Sequence, residues 1–161
     1  MTVEMRLLDR RQWWKAAGVG IGTGVILAVL NVIALKTHVS PLPQPLALAF
    51  ADTIAGAQLP LPVGLLFHVA WVTFFSVVYV VLFRTELTLK NAFWLAAALW
   101  LVTLVVFFPI VGWGVFGLVA GPRLIIPATV SHILFAFILW GLCHAAFGES
   151  AARTPSGEAA R

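Results

Sequence analysis

The chain has 161 residues, 61% of them hydrophobic and 10% charged. Soluble domains average about 25% charged and 45–50% apolar residues, so ten Lys and Arg with six Asp and Glu are too few to cover a water-facing globule. The same hydrophobicity excludes a disordered chain and the single Cys143 excludes a disulfide scaffold, which leaves a polytopic membrane protein. The net charge of +4 does not point to nucleic acid, because the basic residues punctuate apolar runs and build no stripe.

Charges divide the chain into four long uncharged windows, at 16–35, 53–83, 91–122 and 124–148. A spanning helix needs about 20 mostly apolar residues, so each window fits one helix and none fits two with a turn. Helices are forced because lipid offers backbone groups no partner. The first window predicts a helix near 14–36, after a cytoplasmic segment 1–13. It is too long for a signal-peptide core and no A-x-A site directly follows it, so it is expected to be retained. Gly18, Gly20, Gly22 and Gly24 form two GxxxG pairs in it. That spacing allows close helix approach, either within the chain or against a partner.

The stretch 37–60 carries Pro41, Pro43 and Pro45, then an apolar run at 46–59 with Asp52 as its only charge. That run is too short to span and reads as a short interfacial helix in the first outer loop. The second span is expected near 62–83, with His68 about two turns in. His68, Val72, Phe75 and Tyr79 share one helical stripe. The third is expected near 91–112, where Pro109 ends or kinks it. Gly112, Trp113, Gly114 and Gly117 follow, an outer-face turn that either connects helices or lines a ligand. The fourth is expected near 125–147, with His132 about two turns in and Ala136, Leu139 and Cys143 on its stripe. The small polar tail 149–161 is expected to be disordered.

The Lys and Arg tally gives orientation. The N-terminal side through Lys15, the 84–90 loop and the C-terminal tail hold eight, while the ends of the other two loops hold only Lys36 and Arg123. The basic side faces the cytoplasm, so the fold expected is an all-α, four-transmembrane-helix, up-down bundle with both termini inside. Trp13, Trp14, Trp113 and Trp140 fall near helix ends, as interfacial aromatics do.

An ionisable residue inside a membrane is costly and a functional candidate by default. His68 and His132 lie on parallel helices, each roughly 9–11 Å below the outer end at 1.5 Å per residue. Facing each other, two imidazoles can hold a b-type haem, contact a quinone or share a metal. They can equally be interhelical pins to Thr73, Ser76, Thr103, Thr129 or Ser131. Two histidines are too few for zinc. With no acid in any span, coupled ion transport is not expected. No H-E-x-x-H, G-x-S-x-G or Cys pair is present, so the sequence leans away from an enzyme. It suggests a non-catalytic binding or accessory subunit in the lipid bilayer, assembling with itself or with a larger membrane complex. A haem- or quinone-linked redox protein using His68 and His132 is the alternative.

Three short motifs have a family look: G-x-x-x-H from Gly64 to His68, P-x-x-G-x-G-x-F-G-L from Pro109 to Leu118, and P-x-x-x-x-H from Pro127 to His132, with a late Gly141. Over roughly 46–148 the chain resembles small bacterial membrane proteins related to the YagU inner-membrane family. The resemblance implies a four-helix protein of the bacterial inner membrane and carries no reaction or cofactor with it.

Overall fold

The structure, a computed structural model, describes residues 8–148; the tail expected to be disordered lies outside them. The described chain is helical, with no strand. Helix α1 (Arg10–Lys36) begins earlier than the apolar window because Asp9 caps it. The Asp9 carboxylate accepts from the Gln12 amide at 2.7 Å, and the Gln12 side chain accepts from the Asp9 amide at 3.1 Å. This reciprocal pair satisfies two donors that a helix start leaves orphaned. The three prolines then keep the chain out of helix until α2 (Leu46–Ala55). Helix α2 ends at Gly56, whose φ of 63° is a left-handed cap that glycine adopts without strain. The apolar run therefore makes a helix only to Ala55. Asp52 accepts from the Leu59 amide at 2.8 Å, which ties the end of α2 to the segment entering α3.

Helix α3 (Leu61–Leu82) starts with Pro62, whose fixed φ suits a first turn. A tight loop leads to α4 (Leu89–Val102), which continues through a π-helical turn, Thr103–Phe107, into the short α5 (Phe108–Ile110). Pro109 explains the irregularity. It cannot donate to the carbonyl four residues back, and its ring would strike that carbonyl in a regular helix. Widening the turn resolves both, and the Phe108 amide reaches back to Thr103 instead. The chain then makes a glycine-rich connection and a 3-10 turn (Pro122–Leu124) that opens α6 (Ile125–Phe147).

Four of these units are long and apolar enough to cross a membrane: Arg10–Lys36, Leu61–Leu82, Leu89–Ile110 and Pro122–Phe147. Their outward faces carry Ile21, Val29, Leu66, Phe74, Trp94, Leu101, Ile126 and Val130, all exposed. An apolar outside of this kind marks a multi-pass integral membrane protein. Gly20 and Gly24 of α1 meet Thr73 and Val69 of α3, so the two run antiparallel. Trp100 meets Thr129, and Phe93 meets Phe137, so α4 and α6 are antiparallel too. Lys15 at the start of α1 donates to the Ala146 carbonyl at 2.7 Å near the end of α6. A cation there also complements the negative end of the α6 dipole. Helix α1 thus packs between α3 and α6, and α6 between α1 and α4.

The half of the bundle near the α3–α4 loop is solid. Ala16, Tyr79, Ala92, Ala96, Ala136, Leu139 and Cys143 are buried there in one cluster. Leu104, Phe108, Trp113, Leu124 and Ala128 form a second cluster at the other end, with Ala49 of α2.

Candidate functional site

Between the two clusters lies a cavity of about 160 Å³, walled by all four spans and closed at one end by α2 and its leading prolines. Each span contributes a polar side chain to it: Asn31 from α1, His68 from α3, Thr103 from the π-turn, and Ser131 and His132 from α6. Counting from the helix ends at 1.5 Å per residue, each lies roughly 8–11 Å in from the α2 end of its span. One polar belt at a similar depth follows from four separate stretches of the sequence.

His132 has a fixed tautomer. Its Nδ1 lies 2.7 Å from the Ala128 carbonyl, which can only accept, so Nδ1 carries the hydrogen and Nε2 is left as an acceptor. Among the described residues the hydrogen-bond contact of Nε2 is with the Thr103 hydroxyl at 3.5 Å, at the outer limit of a hydrogen bond. Ser131 donates to the Asn31 side-chain oxygen at 2.8 Å, linking α6 to α1 beside the histidine. His68 differs from all of these. Its Nε2 is enclosed and has no partner. An unsatisfied buried polar atom costs about 1–3 kcal/mol and needs a reason. His68 Nε2 therefore makes none of the interhelical bonds that a pin would use, and the Thr73 hydroxyl offered to it is likewise unpaired. His132 is tied mainly to its own helix.

The rest of the wall is apolar, mostly aliphatic with a group of aromatic rings. Phe67, Trp71 and Phe75 of α3 and Phe107 of the π-turn line it. The Trp71 ring lies 4.9 Å from Phe75 and 5.2 Å from Phe107, both edge-on. On the α1 side the lining residues Leu27 and Ala28 are buried. On the opposite side Trp71 and Val102 are 38% and 39% exposed. They flank the seam between α3 and α4, whose backbones stand apart. The lining is therefore exposed to the outside on the α3–α4 side, where the Trp71 and Phe107 rings meet across the seam.

Other candidates lie elsewhere. Tyr79 does not meet the histidines: eleven residues along α3 place it roughly 16 Å from His68, and its hydroxyl donates to the Thr88 carbonyl at 2.8 Å. It fastens the α3–α4 loop. Pro109, Gly112, Trp113, Gly114 and Gly117 do not line the cavity. Gly112, Gly114 and Gly117 have φ of 80°, 75° and 73° and let the chain turn back. Trp113 is 8% exposed and packs edge-on at 5.2 Å against Phe108. It is a wedge inside the turn, which corrects its reading as an interfacial aromatic. Of the four α1 glycines, Gly20 and Gly24 sit against α3, Gly22 meets the tip of Leu142, and Gly18 has open space.

Sequence reasoning missed Asn31 and the aromatic wall. Asn31 is the one polar residue of α1 between Gly24 and Lys36, but it is uncharged and a tally of charges passes over it. Among the described residues no three of His, Cys, Asp or Glu gather as a metal site. No protein-family model, curated protein or solved structure matches the chain. The function is therefore argued from this cavity.

Proposed function

We propose that the protein is a non-catalytic integral membrane protein that binds a small lipid-soluble ligand in the cavity ringed by His68, His132, Asn31, Ser131 and Thr103. What supports this is His68, whose ring stands on the wall of a cavity inside the bundle and whose Nε2 has no hydrogen-bond partner. A polar group left unpaired in a bare protein is paired in a bound one. A cavity of about 160 Å³ matches a single-ring molecule, since an engineered apolar cavity of about 150 Å³ takes benzene. A protein this small that holds a ligand without transforming it works as a carrier or accessory subunit. Assembly with itself or a larger membrane complex belongs to the same proposal. So does a YagU-type bacterial inner-membrane protein with both termini cytoplasmic, which the Lys and Arg distribution supports and which puts α2 and the cavity on the outer side.

One observation favours the haem alternative. His132 gives its Nδ1 hydrogen to a carbonyl and keeps Nε2 free, as metal-ligating histidines do. Size weighs against it. Pockets for drug-sized ligands measure about 300–1,000 Å³, a haem is a large ligand by that standard, and this cavity of about 160 Å³ is smaller than the whole range. An absorption spectrum of the purified protein separates the two. A Soret band lost in His68→Ala and His132→Ala selects haem.

The binding reading is tested by extraction. A small lipophile co-purifying with the wild-type protein and absent from folded Ala28→Phe and Ala128→Phe variants, whose rings fill the cavity, supports it. Equal recovery from all three overturns it.

A further inference from the structure

We infer that the ligand is a neutral, hydroxylated aromatic ring of the quinol class, and that it enters sideways between α3 and α4. The inference rests on the reading of the cavity as a binding site and names its occupant.

Charge is the first constraint. No Lys, Arg, Asp or Glu lines the cavity, and an unpaired ionised group at this depth is costly. Fatty-acid carboxylates and phosphates would find no counter-charge, so the ligand is neutral. Shape is the second. The volume is that of one ring with short substituents, and the wall offers the rings of Trp71, Phe75 and Phe107, against which a flat aromatic packs edge-on or offset.

Hydrogen bonding decides the class. His132 presents an acceptor, Nε2, with only a long contact from Thr103 at 3.5 Å. A carbonyl on the ligand does nothing for that atom, whereas a hydroxyl donates to it. His68 stands on a different wall, for α3 and α6 are separated by α1 on one side and α4 on the other. Whichever tautomer His68 adopts, it has one N–H to give and one lone pair to receive. A ring with a hydroxyl on each of two edges serves both histidines at once: it donates to His132 Nε2 and exchanges a hydrogen bond with His68 at Nδ1, the ring nitrogen that is not enclosed. The fully oxidised quinone has two acceptors and satisfies only the His68 side. The tautomer of His132 therefore makes the site prefer the reduced, hydroxylated ring.

The entry route follows from exposure. Trp71 and Val102 are the exposed members of the lining, and both stand at the α3–α4 seam. The α2 end is closed by Leu42, Pro45, Leu46 and Ala47. A ligand dissolved in lipid reaches the histidines through the seam without crossing a polar loop.

A matched series tests the class. Tetramethylhydroquinone, tetramethylquinone and tetramethylbenzene share a ring and four methyl groups and differ only in the two polar atoms. Each is titrated calorimetrically into the protein in lipid nanodiscs, with empty nanodiscs subtracted. The hydroquinone is expected to bind about five- to tenfold tighter than the hydrocarbon, the margin of one net hydrogen bond or a little more, and tighter than the quinone. His132→Leu should erase its margin over the quinone, and His132→Gln, which keeps an acceptor, should retain part of it. If the hydrocarbon binds and the hydroquinone gains nothing over it, the cavity stands and the quinol class falls. A margin over the quinone that survives in His132→Leu overturns the role of Nε2. If no member binds, the quinol class falls, and the binding reading stands or falls on the extraction. The wild-type series decides between these results even if a histidine variant does not fold. A bulky Val102→Trp at the seam should slow association severalfold; an unchanged rate removes the lateral route.

Discussion

At the scale of single residues, His68 separates a structural part from a working one. A histidine that holds helices together destabilises the bundle when removed. His68 has no partner and leaves Nε2 enclosed, so its removal relieves a cost of about 1–3 kcal/mol. We therefore expect His68→Leu to raise the thermal midpoint of the ligand-free protein by a few degrees, at about 2–4 °C per kcal/mol for a chain of this size. A lowered midpoint in detergent would show a bond that holds the fold. His68→Ala and His132→Ala should also be non-additive with ligand present, because both rings touch one occupant, and nearly additive without it. Denaturation of the four proteins of this cycle, with and without tetramethylhydroquinone, measures the difference. The histidines were legible in the sequence because a titratable group in an apolar window stands out. Their neighbours were not. Asn31 is neutral, Thr103 and Ser131 are common in membrane helices, and only tertiary structure brings them to one depth.

At the scale of elements, apolar windows specified the spans and glycine specifies how closely they approach. In lipid, helices gain nothing by hiding apolar surface, so close backbone contact and van der Waals packing hold them. A Cβ at Gly20 would lie 2.7 Å from the Thr73 Cα, and one at Gly24 would lie 3.0 Å from the Val69 Cα. Backbone cannot swing away as a side-chain tip can, so Gly20→Ala should cost about 1–3 kcal/mol, the usual range for overpacking. Gly18 has nothing within 4 Å, and Gly18→Ala should be neutral or stabilise by up to about 1 kcal/mol through helix propensity. Equal effects of the two substitutions on unfolding would show that the GxxxG spacing has no directional meaning. The sequence marked all four glycines alike, because spacing alone does not say which side of a helix meets a neighbour. Gly64 shows the same limit. A Cβ there would lie 2.6 Å from the Leu48 Cβ and 2.8 Å from its Cα, so this glycine seats α2 on α3 above the cavity. Gly64→Ala should lift α2 and speed hydrogen exchange at Leu48 and Ala49, with exchange in the Tyr79 half of the bundle unchanged.

At the scale of the whole molecule, the two ends of the bundle are built for different tasks. Near the α3–α4 loop the small side chains of Ala16, Ala92, Ala96 and Ala136 are nearly inaccessible, Tyr79 is fastened to Thr88, and Lys15 closes α6. Near α2 the spans are held apart by a cavity, a π-turn and prolines. That division was invisible in hydropathy, which is uniform along each span. It arises from packing between helices distant in sequence. Which end faces outward decides where a ligand comes from, and only the Lys and Arg distribution bears on it. With eight basic residues against two, the orientation we propose puts the solid end at the cytoplasm and the cavity on the side of the outer leaflet. A cysteine introduced by Ser156→Cys gives a clean reporter, because Cys143 is fully buried and stays silent to a membrane-impermeant maleimide. We expect no labelling in intact cells and full labelling in inside-out vesicles. The reverse result would turn the protein over: the seam between α3 and α4 would then sample the cytoplasmic leaflet, and a ligand for His68 and His132 would have to be delivered from there.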